Sequence, residues 1–124
     1  MTEPVRILLI DDNDSFRKMV CRMLAAAGYD VLEAGNGNIG LSRYRQQRAD
    51  VVITDIVMPD GEGLETIVKL RRENPHVKII AMSGADGQDG AYLQSALLFG
   101  ARRTLQKPFT QDELLTAVAE VLAT

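Results

Sequence analysis

The sequence has a single cysteine, Cys21, a single histidine, His76, no tryptophan and no long apolar run. One cysteine excludes an intrachain disulfide, and a reducing, cytoplasmic compartment is the expectation. No apolar run approaches the roughly 20 residues that a membrane helix needs. The opening MTEPVRILLIDDN lacks the order of a signal peptide, so no membrane association is expected. Positive charge is not concentrated either: Lys+Arg number 14 against 17 Asp+Glu, for a formal net charge of -3. The densest basic group, Arg43, Arg45 and Arg48, falls on one expected helix and reads as a solvated face, so direct nucleic-acid binding is not expected. No repeat, low-complexity tract or linker interrupts the 124 residues, which suit one domain spanning 1–124.

What is present is an ordinary globular composition, 46% hydrophobic and 25% charged. Strand-like runs alternate with helix-like segments. Residues 5–10 form an apolar run broken only by Arg6, as in a buried central strand. Phe16, Met19, Val20, Met23 and Leu24 then recur at helical spacing, with Asn13 or Asp14 as the cap and Gly28 as the stop. Residues 29–34 read as a strand at the sheet edge, because Asp30 and Glu33 interrupt it. A helix over 38–47 contains Gly40, which costs about 1 kcal/mol relative to alanine. Strands follow at 51–54, 77–82 and 102–105, with helices at 64–73, 91–99 and 110–123. The last helix opens on the capping box Thr110-x-x-Glu113. Strict alternation of five strands and five helices implies an α/β fold, an open parallel sheet covered on both faces.

Ligands in such sheets gather outside the carboxyl ends of the strands. The first strand ends in Asp11-Asp12, the third in Asp55 and the fourth in Ser83, and Lys107-Pro108 follows the fifth. Three carboxylates in one pocket repel unless they protonate or a cation joins them. Oxygen ligands without His or Cys favour a hard ion, Mg²⁺ or Mn²⁺. A carboxylate held beside a metal and an ammonium suits nucleophilic attack on phosphorus. Asp55, alone on a middle strand, is the natural nucleophile; Ser83 can donate to a phosphoryl oxygen.

LLIDDN, DIVMPDGEG, the strand ending at Ser83 and LQKPF together resemble the receiver domain of two-component response regulators, of the chemotaxis-regulator type, over nearly the whole chain. The resemblance implies a flavodoxin-like doubly wound (βα)5 fold with strand order 2-1-3-4-5. It implies that Asp55 accepts a phosphoryl group from a histidine kinase or histidine phosphotransfer protein. Asp11 and Asp12 match the acidic pair that holds Mg²⁺ with Asp55, and Val57 the position whose backbone carbonyl also ligates it. Ser83 matches the hydroxyl that binds the phosphoryl group, Lys107 the family lysine, and Pro108 the proline joined to it by a cis bond. A downstream protein target or a fused output domain is the implied partner, reached through the face of the fourth helix, fifth strand and fifth helix. Such a module catalyses only its own phosphorylation and dephosphorylation, so no enzyme acting on other substrates is expected. One departure stands out: Thr104 occupies the switch position, three before the lysine, where the family has an aromatic ring. Val57 and Ala85, two residues after Asp55 and Ser83, offer no acid or amide to guide water, which implies slow self-dephosphorylation.

Other classes fit less well. An aspartate-nucleophile phosphohydrolase resembles D-x-D, and Val57 fills the place of the second acid. A flavin carrier would cradle phosphate in its first loop, where Asp11 and Asp12 repel it. The alternative that Thr104 keeps open is a phosphorylation-insensitive receiver-like binding scaffold. ADGQDG has too few acids, and no closing glutamate, for a calcium loop. Asn13-Asp14-Ser15 matches a glycosylation sequon by chance, Cys21 reads as a partly buried small hydrophobe, and His76 takes no role. The fourth helix, with Tyr92, Leu93, Leu97, Leu98 and Phe99, is more apolar than a core face requires.

Overall fold

The computed structural model describes residues 3–57, 62–84 and 89–124, with the side chains of 62 and 89–92 left aside. The elements alternate as β1 (Arg6–Ile10), α1 (Asp14–Ala26), β2 (Asp30–Ala34), α2 (Gly37–Gln46), β3 (Val51–Asp55), α3 (Glu62–Glu73), β4 (Ile79–Ser83), α4 (Asp89–Phe99), β5 (Arg103–Gln106) and α5 (Gln111–Leu122). All pairings are parallel and the sheet order is β2-β1-β3-β4-β5, the flavodoxin-like arrangement expected.

Side chains alternate across each strand, so the sheet supplies two cores. Leu8 and Ile10 of β1 and Val52 of β3 pack under Leu41, Tyr44, Ile67, Leu70 and Ala96 of α2, α3 and α4. Ile7, Leu9, Val51 and Ile53 face the other way, onto Val20 and Leu24 of α1 and Leu114, Ala117, Val118 and Val121 of α5. Burial on both faces explains why β1 after Arg6, β3 and β4 read as largely apolar runs. β2 lies at an edge, and Asp30 at its start is exposed.

The caps follow the sequence closely. Asn13 Oδ1 accepts the Phe16 N–H at 3.0 Å, so Asn13 and not Asp14 caps α1. Gly28 ends that helix at φ 95. Thr110 and Glu113 form both arms of the capping box on α5. Several boundaries move. β3 and β4 each run one residue further, so Asp55 and Ser83 are the last residues of paired strands. β4 begins at Ile79, because Val77 N–H is taken by Asn74 O in the turn after α3. Met19 is exposed, one position off the stripe that Phe16, Val20, Met23 and Leu24 bury. Arg48 lies beyond the end of α2 and stacks on the Tyr44 ring at 5.1 Å, while Arg45 pairs with Glu73. On α4, Leu97, Leu98 and Phe99 are exposed, Leu98 by 87%. Residues 58–61, the connection at 85–88 with Ala85, and the Tyr92 side chain lie outside the described residues.

Gly40 has a packing reason. A Cβ there would meet Ile10 Cδ1 at 2.4 Å and Cγ1 at 2.8 Å. Ile10 is wholly buried, so it has little room to yield. Alanine would gain about 1 kcal/mol in helix propensity but incur about 1–3 kcal/mol of overpacking. Gly40→Ala is expected to lose about 1 kcal/mol net in urea unfolding; a gain would mean that propensity, not packing, governs α2.

Candidate functional site

Parallel pairing brings the carboxyl ends of β1, β3, β4 and β5 to one edge of the sheet. The register sets Asp55 opposite Met82 and Ser83 opposite Gln106, and Lys107 N–H donates to Ser83 O. The chain then turns through a cis Lys107–Pro108 bond, as the resemblance implied. Lys107 reaches the acids at this edge, with Nζ 2.8 Å from Asp11 Oδ2 and 2.8 Å from Asp55 Oδ2. The Phe16 ring lies 4.3 Å from Nζ and meets Phe109 edge-on at 5.6 Å, walling the ammonium from the α1 side. Phe16 reads in the sequence as core alone; its second role follows only from where the fifth strand returns.

The carboxylates differ in setting. Asp11 is fully buried; its Oδ1 accepts the Asn13 N–H at 2.9 Å in a tight turn. Asp55 is 5% exposed, and its Oδ1 accepts the Val57 N–H at 2.8 Å. Asp12 is exposed. One oxygen from each of Asp11, Asp12 and Asp55 lies within 4.8 Å of the others, a group that could hold a cation. An all-carboxylate donor set fits a hard divalent ion.

Burial pushes the Asp55 pKa up; hydrogen bonds from Lys107 and Val57 pull it back without cancelling the rise, to which Asp11 adds repulsion. Burial works against the Lys107 charge, but hydrogen bonds to Asp11 and Asp55 and their attraction outweigh it and raise its pKa. Asp55 is thus a carboxylate short of counter-charge, beside an ammonium that stays protonated. Ser83 is fully buried, and among the described residues its Oγ has no hydrogen-bond partner. A buried hydroxyl left over at the sheet edge fits an oxygen-rich group bound there.

The structure therefore brings together Asp11, Asp12, Asp55 and Lys107, and sets Ser83 at the same edge. Val57 enters through its N–H, with its side chain exposed. Thr104 stands apart from the carboxylates, half-buried and paired in register with Ala81 of β4. It lines a groove of about 430 Å³ along β5 with Gln106, Lys107 and Glu113.

Residues 7–119 match the family model described as response regulator receiver domain. The chain is 33% identical to the chemotaxis protein CheY of Thermotoga maritima over 117 residues, covering 94% of this chain and 96% of that protein. It is 31% identical to a transcriptional regulatory protein, TcrX, of Mycobacterium tuberculosis, covering 97% of this chain but only 50% of that protein, so it spans half the length of that relative. Among solved structures, Vibrio cholerae chemotaxis protein CheY4 superposes with a TM-score of 0.87 at 30% identity, covering 96% of this chain and 99% of that one. A CheY-like receiver domain protein from Methanospirillum hungatei gives 0.88 at 27% identity, covering 98% and 95%.

Removing the ammonium alone should leave Asp11 and Asp55 buried and unbalanced. Lys107→Met is expected to lose about 3 kcal/mol near neutral pH in the presence of EDTA, read by urea unfolding. A carboxylate whose folded pKa is raised destabilises the fold above its unfolded pKa, so the deficit should shrink as acid protonates Asp55. A deficit that is constant with pH would show that lost packing, not charge, is responsible.

Proposed function

The chain belongs to the response regulator receiver domain family, and from that membership we propose that it is the phospho-acceptor of a bacterial two-component phosphorelay, with Asp55 as the acceptor. The observation that carries this reading is Lys107 Nζ at 2.8 Å from both Asp11 and Asp55. It puts a buried carboxylate with a raised pKa, Asp55, beside a fixed positive charge.

The donor is a phosphohistidine on a histidine kinase or histidine phosphotransfer protein. An Asp55 carboxylate oxygen attacks phosphorus, the P–N bond breaks, and the imidazole leaves with its bonding pair and takes a proton from solvent. Asp55 becomes an acyl phosphate. Asp11, Asp12 and Asp55, with the Val57 carbonyl, would hold Mg²⁺, or Mn²⁺ in its place. When bound, the ion neutralises charge on the transferring phosphoryl oxygens. Lys107 stabilises a second oxygen, giving up part of its hold on Asp55, and the unpartnered Ser83 Oγ donates to a third. Desolvation strengthens each of these contacts. The module catalyses only the gain and loss of its own phosphoryl group.

The readout lies on the face of α4, β5 and α5. Drawing Ser83 toward the phosphoryl group would move the end of β4, which pairs with β5, and α4, with the exposed Leu97, Leu98 and Phe99, packs against both strands. A downstream protein target or a fused output domain would meet that face, in the cytoplasm. Among the described residues no helix is long and apolar enough to cross a membrane. Thr104, with no ring to bury, supports the second reading, a phosphorylation-insensitive binding scaffold. Amide spectra with a phosphoryl mimic in Mg²⁺ separate the two: unchanged α4 and β5 signals favour the scaffold.

Incubation with a small phosphodonor should add one phosphoryl group in Mg²⁺, none in EDTA and none in Asp55→Asn, read by intact mass. Labelling that survives Asp55→Asn would refute the assignment. Because Val57 brings no acid or amide, the acyl phosphate should outlast a span of seconds in Mg²⁺, followed by loss of the added mass after the donor is removed.

A further inference from the structure

Arg17 was not a candidate in the sequence, yet its side chain is only 11% exposed and it joins its own helix α1 to β2 and to the turn after β1. Nε lies 3.1 Å from Glu33 Oε1 on β2. Nη1 lies 2.8 Å from Asp14 Oδ1 on α1 and donates to the Asp11 backbone carbonyl at 2.8 Å. Burial works against its charge, but the hydrogen bonds to Asp14 and Glu33 outweigh it and raise its pKa, so it is a permanent cation. Lys18 shares Glu33 at 3.2 Å, but of these two cations Arg17 is the one bonded to the Asp11 carbonyl.

The backbone consequence is specific. The Asp11 N–H donates to Ala34 O at 3.1 Å, and its carboxylate is held by the Asn13 N–H and Lys107. Its carbonyl is the remaining polar group, and it belongs to the rigid peptide plane that joins Asp11 to Asp12. Fixing that oxygen fixes the direction in which Asp12 leaves the strand. Among the described residues no hydrogen bond or ion pair holds the exposed Asp12 carboxylate, although one of its oxygens lies within 4.8 Å of both Asp11 and Asp55. Its place must therefore come from the backbone.

We infer that Arg17 is a positioning residue for the acidic site: by holding the Asp11 carbonyl, it orients the Asp11–Asp12 peptide and presents Asp12 to a divalent cation. This rests on the metal-dependent reading above. Residues one step behind the ligands set their orientation, and losing one typically costs 10–100-fold in metal affinity. Among the described residues Arg17 bonds to Glu33, Asp14 and the Asp11 carbonyl and to no carboxylate oxygen of Asp11, Asp12 or Asp55, so its loss should weaken ion binding without altering chemistry once the ion is bound. A mere staple between α1 and β2 would instead lower the amount of active protein at every metal concentration.

The test is Mn²⁺ binding, read from the free-ion electron paramagnetic resonance signal, beside labelling rates at rising Mg²⁺. Arg17→Gln should bind Mn²⁺ about tenfold more weakly and reach the wild-type labelling rate at saturating Mg²⁺. Lys18→Gln, which also strips Glu33 of a partner, should bind Mn²⁺ like wild type. Arg17→Lys keeps the charge for Asp14 and Glu33 but cannot span all the acceptors; should the glutamine variant not fold, the lysine variant is read the same way. Unchanged Mn²⁺ binding in the Arg17 variants, equal weakening in Lys18→Gln, or a rate that stays low at saturating Mg²⁺ would each overturn the role of Arg17. If wild type itself binds no Mn²⁺, the metal-dependent reading falls first, and the two failures are thereby distinguished.

Discussion

Lys107 Nζ stands 2.8 Å from a carboxylate oxygen of Asp11 and the same distance from one of Asp55, two acids that the fold has taken out of water. Isolated buried carboxylates would protonate, and two facing each other would push the strands apart. The ammonium sets a positive charge against both at the sheet edge. It does so from the far end of the chain, so closing β5 against β4 also completes the site. A single cation cannot balance three acids, and Asp55 keeps a raised pKa while Asp12 stays in solvent. That residual deficit of positive charge is what the proposed divalent ion and phosphoryl transfer would draw on.

Order in the sheet turns this local balance into a site. With β1 and β3 adjacent at the centre, Asp11 and Asp55 are neighbours although 44 residues separate them in the chain. β4 and β5 add Ser83 and Lys107 from the other side. Two apolar cores hold these strands, one under α2, α3 and α4 and one under α1 and α5, so the charged edge rests on rigid elements. Rigidity beneath and incomplete charge above suit a centre that must accept a group without collapsing when it is absent. α4, which carries the exposed leucines and Phe99, packs against β4 and β5, the strands that bring Ser83 and Lys107 to the edge.

The features legible in the sequence were those with a local cause. Apolar runs marked β1, β3 and β4; Asn13, Thr110 and Glu113 marked helix starts; Gly28 marked a stop. Strand ends gave Asp11, Asp12, Asp55, Ser83 and Lys107, because a strand leaving its core and ending on a polar residue must send that residue to the edge. Gly40 looked like a weakness in α2 because its reason, contact with Ile10, is tertiary. Met19 fell outside the buried stripe for a similar reason: the periodicity of an amphipathic helix defines a face but not its width.

The sequence by itself determined the alternation of elements, the parallel sheet and the set of residues that could reach its edge, since periodicity, caps and turn residues act over a few positions. Only the tertiary structure decided how those residues divide their work. It buried Asp11 and exposed Asp12, gave Phe16 an ammonium to face, left Ser83 Oγ without a partner among the described residues, and brought Arg17 to the Asp11 carbonyl. Those assignments depend on distances between segments far apart in the chain, which no local pattern encodes.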